Sequence, residues 1–537
     1  MAQPNLAPSA EPDLATLHEA ISAAVPGRDC LIWRDRRITW REMTDRTRRL
    51  ARVLHDAGLG RTGDAQHPWQ SGHDHLALYL LNGPEYLEGL VGAHKARVAP
   101  FNVNYRYVDE ELAYLFKDAQ PAAVLYHGRF AATLERVLPV LDRRPLLLQV
   151  ADDSGADLLP GALDYETALA QASAQPLDLG PGPSDLHILY TGGTTGMPKG
   201  VLWRIGDLAA GPLGVPPASL AEVVELAATR ARHKVLVAPP FMHGAGTWSA
   251  LGAWLGGAGV VLPGTVDRFD PADALAVAAR EHVTRIPVVG DAFARPIAEE
   301  LSTRSYDLSS LRQILNSGAA INPAIKQRLA ELLPNVKVID VLGSSETGFQ
   351  VTRLGPRDRP FQPSPGVAVL SADRTRRLGP GDDETGWLAK TGPIPLGYLG
   401  DESKTAATFI ELDGVRMVVA GDRAKVLPDG TIQVYGREST TINTGGEKVF
   451  AEEVEAVVRA VPGVTEALVI GRPSERWGQE IVAVVRLARP LTDDELRTAC
   501  AAHLARYKLP KAFFRTDELL RLPNGKADYA TARRIAR

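Results

Sequence analysis

The sequence is poor in cysteine, in long apolar runs and in excess charge of either sign. Its two cysteines, Cys30 and Cys500, are too few and too far apart for a disulfide framework or a cysteine metal cluster. No apolar run reaches the ~18 residues that a membrane-spanning helix needs. A net charge of −4 and a pI of 6.3 give no basic field of the kind that nucleic-acid-binding proteins present. We therefore expect no transmembrane segment and no nucleic-acid partner.

The first residues also lack the features of a secretory signal. MAQPNLAPSAEPD has no basic stretch followed by an apolar core. With so few cysteines, this start predicts a cytoplasmic protein. The fractions of hydrophobic residues (45%) and charged residues (23%) are typical of a soluble globular chain. At 537 residues, the chain is expected to form two or more domains.

Short apolar runs alternate with helical patterns from about residue 15 to residue 436. Runs such as 76–81, 122–127 and 336–343 are nearly continuous in apolar residues, which indicates strands buried on both faces. The helical stretches between them predict βαβ units and therefore an α/β fold. A stretch rich in Gly and Pro, at about 353–400, predicts a β-rich subdomain.

The character of the sequence changes at residues 437–440. After them come a polar, Gly-containing stretch, an amphipathic helix at 451–461, two strand-like runs and a capping box formed by Thr492 and Glu495. This pattern predicts a small α+β domain. We divide the chain into an N-terminal domain at 1–436, a hinge at 437–440 and a C-terminal domain at 441–537.

The stretch ILYTGGTTGMPKGVLW, at 188–203, has the composition of a phosphate-binding loop. Its glycines permit close backbone approach, its Thr hydroxyls and free N–H groups can surround an anion, and Lys199 adds a positive charge. A hairpin turn uses about two to five residues, whereas this loop has about ten. The P-loop pattern G-x-x-x-x-G-K-[ST] is not met, because Gly200 follows Lys199 and the next residues predict a strand.

Six further motifs follow this loop along the chain. They are PPFMHGAG (239–246), NSGAA (316–320), VLGSSETG (341–348), AGDRAKVLPDG (420–430), GRESTTINTGGEKVFAEEVE (436–455) and LPNGKADY (522–529). Their order and spacing resemble the adenylate-forming superfamily: acyl- and aryl-CoA synthetases, luciferases and peptide-synthetase adenylation domains. Their wording resembles actinobacterial acyl-CoA synthetases for fatty acids and for steroid or bile-acid side chains. The resemblance covers nearly the whole chain.

The resemblance implies a fold and a reaction. The fold has a large N-terminal domain with αβαβα-type layered sheets plus a β-rich subdomain, and a small mobile α+β C-terminal domain. In the reaction, a small-molecule carboxylic acid attacks the α-phosphorus of ATP, giving acyl-AMP and pyrophosphate, and the thiol of CoA then displaces AMP. Mg²⁺ would accompany ATP. Both steps build negative charge, which fixed donors and cations stabilise.

The resemblance also implies which residues bind the nucleotide. Glu346 would help to hold Mg²⁺, and Asp422 would accept hydrogen bonds from the ribose hydroxyls with Arg437 nearby. The phosphate loop would use Thr191, Gly192, Gly193, Thr194, Thr195, Gly196 and Lys199, the adenine site Gly318, Ala319 and Ala320, and the turn before Glu346 would contribute Gly343, Ser344 and Ser345.

The remaining assignments concern the acid, CoA and the hinge. Lys526 would bridge the carboxylate and the α-phosphate, unless it is a solvated lysine in a Pro-Asn-Gly turn. His243 would orient or gate the carboxylate, although a lone histidine can be purely structural. Rotation about Ser439, where the family usually has Asp or Lys, would exchange Lys526 for the pantetheine tunnel. The tunnel would be formed by Gly445, Gly446, Glu447 and Lys448, and the acyl pocket would be walled by Gly244, Gly246, Trp248, Val288, Gly290 and Asp291.

Several alternatives remain open at this stage. An adenylating enzyme that loads a carrier protein or another acceptor would have a similar sequence. The serine-hydrolase pattern G-x-S-x-G is missed by one position at 343–347. A metalloenzyme would need paired ligands, whereas His73 and His75 lie in a loop-like stretch and are expected to be solvated. The acid itself is open between a steroid or bile-acid side chain, a fatty acid and an aryl acid, and a homodimer is common in the family.

Overall fold

A large α/β region with layered sheets precedes a β-rich region and a small C-terminal domain. The computed structural model describes residues 13–180, 182–193, 196–214, 220–355, 359–437, 440–444, 447–474, 478–504, 508–522 and 525–537.

The strands and helices of the layered region are given in chain order. The strands are β1 Asp29–Trp33, β2 Arg36–Thr39, β3 His75–Tyr79, β4 Ala99–Asn102, β5 Ala123–His127, β6 Leu146–Val150, β7 Leu163–Asp164, β8 Leu186–Gly193, β9 Gly196–Arg204, β10 Lys234–Leu236, β11 Gly259–Leu262, β12 Arg285–Val288, β13 Gln313–Asn316, β14 Lys337–Ser344, β15 Gly348–Leu354 and β16 Gln362–Pro363. The helices are α1 Leu14–Ala24, α2 Trp40–Asp56, α3 Pro84–Lys95, α4 Asp109–Ala119, α5 Ala131–Val137, α6 Tyr165–Gln171, α7 Ile205–Ala210, α8 Leu220–Thr229, α9 Gly244–Leu255, α10 Pro271–Arg280, α11 Asp291–Thr303 and α12 Pro323–Leu332.

The later elements form the β-rich region and the C-terminal domain. The β-rich region contains β17 Val367–Leu370, β18 Arg377–Leu378, β19 Gly386–Thr391, β20 Gly397–Tyr398, α13 Glu402–Thr408, β21 Phe409–Leu412, β22 Val415–Val418, β23 Asp422–Val426 and β24 Ile432–Arg437. The C-terminal domain contains β25 Thr441–Thr444, β26 Glu447–Phe450, α14 Ala451–Ala460, β27 Val464–Ser474, β28 Gly478–Leu487, α15 Asp493–Ala501, β29 Ala512–Arg515 and α16 Tyr529–Ile535.

Two mostly parallel sheets with helices between and outside them form the layers. One sheet has the strand order β16-β15-β14-β13-β12-β10-β11-β1-β2, and the other β20-β9-β8-β4-β3-β5-β6-β7. One apolar core lies between them and joins Leu31 of β1 to Leu78 of β3. Helix α3 lies in that core, with every residue from Pro84 to His94 buried. Helices α10–α12 cover the outer face of the first sheet, and α4 and α5 cover that of the second. This arrangement confirms the predicted αβαβα layers.

Local sequence explains the strands and helix ends of this region. Strands β3 and β5 are buried along their whole length, as their continuous apolar runs predict. Helix α2 begins with a capping box, in which Thr39 accepts from the backbone of Glu42 and the Glu42 side chain accepts from the backbone of Thr39. The β-rich subdomain is also confirmed, and its sheet extends beyond the predicted stretch to Arg437 in β24.

The C-terminal domain is a small α+β unit. Its sheet has the order β26-β25-β28-β27, with β29 parallel to β28. Helix α14 buries Val454 and Val458 against this sheet, and the Thr492–Glu495 capping box begins α15 as predicted. Across the described part of the chain, no helix combines the length and apolar character needed to cross a membrane.

The expectation that His73 and His75 are solvated was wrong. His75 belongs to β3 and is buried, with its Nε2 2.8 Å from the hydroxyl of Ser71. The His73 side chain is only 5% exposed, and its Nε2 lies 3.1 Å from Oδ1 of Asp185. Both rings are therefore structural, because each has a partner that the local sequence does not reveal.

Candidate active site

The predicted phosphate loop lies where β8 and β9 pair as an antiparallel hairpin, with the pairing continuing to Gly193 and Gly196. The expectation of a loop of about ten residues, too long for a hairpin, was therefore wrong, because the two strands extend into it. Tyr190 faces Gly200 and Thr191 faces Lys199 in this pairing, so the returning strand that the sequence predicts is present. A Cβ on Gly200 would lie 2.9 Å from side-chain atoms of both Ile188 and Tyr190, so only glycine fits there. Gly192, Gly193 and Gly196 are at the hairpin ends of the two strands. Thr194 and Thr195 lie outside the described residues.

Lys199 has a carboxylate partner in the β-rich region. Its ammonium forms an ion pair with Asp401, which also caps helix α13 by accepting from the backbone N–H of Lys404 at 2.8 Å. A second carboxylate, Asp118, lies close enough for its charge to interact with both groups, and it accepts from the hydroxyl of Tyr190 at 2.6 Å. Burial raises the pKa of Asp118. Thus the lysine of the hairpin is held in an acidic setting.

Glu346, the predicted metal ligand, lies on a tight turn between β14 and β15. A Cβ on Gly343 would lie 2.0 Å from the carbonyl oxygen of Gly348, so the two strands approach closely only because residue 343 is glycine. The indole N–H of Trp203 in β9 donates to the carbonyl of Ser345 at 2.9 Å. The backbone N–H of Glu346 donates to the hydroxyl of Ser344 at 3.3 Å. These bonds fix the turn against the hairpin strand.

Tyr398 connects Glu346 to the same hairpin. Its hydroxyl donates to Oε1 of Glu346 at 2.9 Å, and the residue itself lies in β20, where it pairs with Val201 of β9. The Tyr398 ring is buried against Phe409. One short segment, which contains Tyr398 and Asp401, therefore contacts both Glu346 and Lys199.

The predicted adenine loop, 318–320, is tied to the predicted acyl pocket by Asn316. Its side-chain oxygen accepts from the backbone N–H of Gly290 at 2.9 Å, and its amide nitrogen donates to the carbonyl of Ala319 at 3.0 Å. Gly290 has a φ of +58°, and a Cβ there would lie 2.7 Å from the Cβ of Ala319. Gly318, also at positive φ, begins the turn that leads to Ala320. The two loops thus form one surface.

Asp422 and Arg437, the predicted ribose pair, face each other across β23 and β24. Asp422 is buried at the start of β23 and directly follows Gly421, whose φ is +97°. A buried carboxylate is costly unless it is hydrogen-bonded, so this position favours a polar partner.

His243 directly precedes helix α9, at the end of a loop that two buried asparagines hold in place. The amide of Asn82 donates to the carbonyl of Pro239 at 3.0 Å, and that of Asn102 donates to the carbonyl of Met242 at 2.6 Å. Burial, together with the nearby positive charges of Lys526 and Arg106, lowers the pKa of His243 to about 3. Within the described part of the chain, neither Nε2 of His243 nor Nε1 of Trp248 has a hydrogen-bond partner, although both are buried. Such atoms suit a ligand, because leaving them unpaired is unfavourable.

Lys526 reaches this site from the C-terminal domain. Residues 522 and 526 are paired, with the backbone N–H of Leu522 donating to the carbonyl of Lys526 at 2.8 Å. Gly525, at φ +81°, packs on the loop after β12, where an added Cβ would lie 3.2 Å from Cγ1 of Val289. Because the charge of Lys526 acts on His243, the structure brings these two predicted catalytic residues together.

The other predicted acyl-pocket residues lie in close-packed surroundings. A Cβ on Gly246 would lie 2.4 Å from the carbonyl oxygen of Pro240, and one on Gly244 would lie 3.2 Å from Cδ2 of Leu189. Trp248 packs edge-on to Trp203. Val288 is in the core beneath the first sheet. Asp291 accepts from the backbone N–H of Asn322 at 2.6 Å, so its side chain is engaged within the protein.

Residues at the two ends of the predicted hinge lie close to helix α14. The hydroxyl of Thr440 lies 2.7 Å from both carboxylate oxygens of Glu452. Gly436 lies close to the same side chain, since a Cβ there would be 2.5 Å from Oε2 of Glu452. Glu447 and Lys448 belong to β26, which pairs with β25. Ser439, Gly445 and Gly446 lie outside the described residues.

Five residues of this site were not predicted from the sequence. They are Asn82, Asn102, Asn316, Tyr398 and Asp401. The asparagines share a recognisable signal, because each lies at or just after the end of a buried parallel strand, where an amide can bond two neighbouring loops. The sequence gives no comparable signal for Tyr398 or Asp401.

This layered fold with a small C-terminal domain is that of a known class of enzymes. The structure of the anthranilate CoA ligase AuaEII in complex with anthranoyl-AMP aligns with a TM-score of 0.82 over 98% of this chain and 97% of that one, at 20% sequence identity. At that identity, the likeness establishes the fold alone.

Sequence comparison then gives the family. The profile of the AMP-binding enzyme family matches residues 18–393, and that of the AMP-binding enzyme C-terminal domain matches 453–526. The chain belongs to the AMP-binding enzyme family. It is 47% identical to the medium-chain acyl-CoA ligase Mig of Mycobacterium avium, over 96% of this chain and 97% of the relative. It is 35% identical to the 3-oxocholest-4-en-26-oate–CoA ligase of Rhodococcus rhodochrous, over 97% and 95%.

Proposed function

We propose that this chain is an AMP-forming acid:CoA ligase. The observation that carries the proposal is that Lys526, from the C-terminal domain, lies close enough to His243 for its charge to act on the ring. Asn102 ties the loop before His243 to Tyr190 of the Gly- and Thr-rich hairpin. The names of relatives that are 47% and 35% identical over nearly the whole chain, both CoA ligases, support the same activity.

In the first step, a carboxylate oxygen attacks the α-phosphorus of ATP, and the bond to the β-phosphate breaks. Lys526 neutralises charge between the carboxylate and the α-phosphate. The 191–199 hairpin and Lys199 bind the departing pyrophosphate. His243 stays neutral at working pH, because its pKa is about 3, and its buried Nε2 is available to the acid. No side-chain nucleophile is required.

The residues around Glu346 suit Mg²⁺. This cation prefers oxygen ligands and is commonly held by one or two carboxylates together with substrate phosphates. The Glu346 carboxylate is partly exposed on a turn that faces the hairpin strand, and its neighbours Ser344 and Ser345 add hydroxyl oxygens. Glu346 would hold the ion, which neutralises phosphate charge when bound.

In the second step, the CoA sulfur attacks the acyl carbon, the bond to AMP breaks, and the thiol proton leaves. We propose that residues 437–440 form the hinge between a domain at 1–436 and one at 441–537. Rotation about Ser439 would withdraw Lys526 and bring in Gly445, Gly446, Glu447 and Lys448, where glycines allow close approach of the pantetheine arm.

A medium-chain fatty acid is the substrate we propose. The relative named for medium-chain acids is 47% identical to this chain, whereas the one named for a steroid acid is 35% identical. Loading of a carrier protein is disfavoured because both relatives are named as CoA ligases. We further propose that the enzyme acts in the cytoplasm, where ATP and CoA are found.

The test combines an acid panel with variants that separate the two steps. Purified protein is incubated with ATP, Mg²⁺, CoA and fatty, steroid or aryl acids, and AMP and thioester are measured. Lys526→Ala should lower acyl-AMP formation by roughly 100-fold or more but retain thioester formation from supplied acyl-AMP. Gly446→Trp should retain acyl-AMP formation and lose thioester formation. Lys337→Ala, at an exposed lysine, should change neither step. Formation of ADP, or equal loss of both steps in both variants, would refute the proposal.

A further inference from the structure

Residues 397–401 are fixed to the strand that follows the phosphate hairpin. In β20, Gly397 and Tyr398 pair with Leu202 and Val201, and the backbone N–H of Leu399 donates to the carbonyl of Gly200 at 2.8 Å. On the other side, the backbone N–H of Gly400 donates to the carbonyl of Trp69 at 2.8 Å. We call residues 397–401 the bridging segment, because it joins the hairpin to the turn of Glu346.

The bridging segment is also rigid within itself. The hydroxyl of Thr405 accepts from the backbone N–H of Tyr398 at 2.9 Å and donates to the carbonyl of Asp401 at 2.7 Å. The Tyr398 ring is 3% exposed and packs edge-on against Phe409. Two side chains of this fixed segment contact groups of the candidate site: Tyr398 contacts Glu346, and Asp401 contacts Lys199.

We propose that Tyr398 and Asp401 are positioning residues for the adenylation step. Tyr398 orients the carboxylate of Glu346 for Mg²⁺, and Asp401 orients the ammonium of Lys199 for the triphosphate. This inference rests on the proposed function, because it takes Glu346 and Lys199 as the groups that bind the metal and the phosphates. It adds two residues of the β-rich region that link the metal ligand to the phosphate loop.

The contact between Tyr398 and Glu346 leaves room for a metal. A carboxylate has two oxygens and about four lone-pair positions, so it can accept from the Tyr398 hydroxyl through Oε1 and still bind a cation. Outer donors of this kind fix the orientation of ligating carboxylates, and their loss lowers metal affinity. Because the Tyr398 ring is held by packing, its hydroxyl can fix Glu346 before the metal arrives.

The contact between Asp401 and Lys199 also leaves the charged group able to bind its ligand. The Lys199 side chain is 38% exposed and has a flexible four-carbon stem, which loses freedom when its ammonium binds a phosphate. The ion pair with Asp401 restricts the Lys199 side chain before any phosphate binds. An ammonium has three N–H donors, so Lys199 can keep Asp401 while it donates to phosphate oxygens.

The variants that test the proposal are Tyr398→Phe and Asp401→Asn. Phenylalanine keeps the ring packing, and asparagine keeps an oxygen that can cap α13. Each variant has a matched control outside the bridging segment and the residues it contacts. Tyr306→Phe removes a hydroxyl that donates to Oε1 of Glu300 at 2.6 Å, and Asp383→Asn removes an exposed carboxylate that pairs with Lys425.

We expect Tyr398→Phe and Asp401→Asn to lower kcat/KM for MgATP in acyl-AMP formation roughly tenfold, with thioester formation from supplied acyl-AMP changed less than twofold. Metal binding, measured in the absence of turnover, should show the same defect in the adenylation site. Titration of the enzyme and ATP with Mn²⁺, followed by electron paramagnetic resonance, should show weaker metal binding in Tyr398→Phe. The control variants should match the unmodified protein in both measurements.

Double variants separate positioning from a general structural effect. In a Glu346→Gln background, Tyr398→Phe should have less than a twofold further effect, and the same should hold for Asp401→Asn in a Lys199→Met background. Independent, multiplicative losses in those backgrounds, or equal loss of both half-reactions, would overturn the inference alone. If Glu346→Gln and Lys199→Met themselves retain full adenylation, the site assignment fails and the inference fails with it.

Discussion

Lys526 and His243 lie close enough for the charge of the lysine to lower the pKa of the histidine, although they belong to different domains. Burial is the larger cause of the shift, which brings the pKa of His243 to about 3. The structure therefore places the charge of the C-terminal lysine near His243, at the predicted acid site. A cation and a neutral imidazole together suit the binding of a carboxylate.

The first prediction concerns the role of His243. Because its pKa is lowered to about 3, the ring is uncharged from pH 6 to pH 9 and does not titrate there. We expect His243→Ala to lower kcat for acyl-AMP formation by roughly tenfold without changing the shape of the pH–rate profile over that range. Pre-steady-state measurement of pyrophosphate release at half-unit pH intervals tests this. Disappearance of an ionisation near pH 6.5 in the variant would show that His243 titrates in the wild-type enzyme.

The second prediction concerns the contact between Thr440 and Glu452. Because Thr440 belongs to the hinge that we propose at 437–440, its contact with Glu452 would restrain the hinge in the arrangement described here, and its loss should make the second arrangement that we propose more accessible. We expect Thr440→Val to lower the ratio of the adenylation rate to the thioesterification rate by about fivefold, which corresponds to the roughly 1 kcal/mol of one hydrogen bond.

The matched control for this contact is Thr440→Ser, which keeps the hydroxyl. It should leave the ratio of the two half-reactions unchanged, and both variants should be folded, as a cooperative thermal unfolding transition would show. An unchanged ratio in Thr440→Val, with full folding, would mean that the contact does not bias the domain arrangement.

The third prediction concerns two buried histidines that the mechanism does not use. His94 of α3 and His187 of β8 lie with their ring centroids 5.6 Å apart, and burial lowers their pKa values to about 3 and about 4. A histidine whose pKa is lowered on folding contributes its full stabilisation of the folded protein only above the pKa of the unfolded chain, about 6.5. That stabilisation is lost as the pH falls from about 6.5 toward 4.

Each of these histidines should therefore lower the free energy of unfolding by about 2 kcal/mol at pH 5 relative to pH 8. We expect His94→Phe to reduce the fall in the thermal unfolding midpoint between pH 8 and pH 5. His55→Leu, at an exposed position, is the control and should leave that fall unchanged. An identical fall in His94→Phe and the unmodified protein would contradict the assignment.

The sequence predicted those features that depend on local pattern. The strand that returns after 191–199, the buried strands β3 and β5, and the capping box at Thr492 each follow from spacing that neighbouring residues impose. The order of the motifs also predicted that His243 and Lys526 would act at one site, through resemblance to a family whose fold brings them together.

The partners of several side chains could not be predicted, because they come from distant parts of the chain. Asp401 meets Lys199 only because β20 pairs with β9, and no local pattern specifies that pairing. His73 was expected to be solvated, yet Asp185 provides its partner from another segment. Such contacts depend on sheet order, which the alternation of strands and helices leaves undetermined.

The transfer of labelled oxygen from acid to nucleotide tests the central claim of an acyl-AMP intermediate most directly. A medium-chain fatty acid with both carboxylate oxygens labelled as ¹⁸O is turned over once with ATP, Mg²⁺ and CoA, and the products are analysed by mass spectrometry. One labelled oxygen is expected in AMP and none in pyrophosphate. Label in pyrophosphate or inorganic phosphate, or thioester formed without label in AMP, would contradict it.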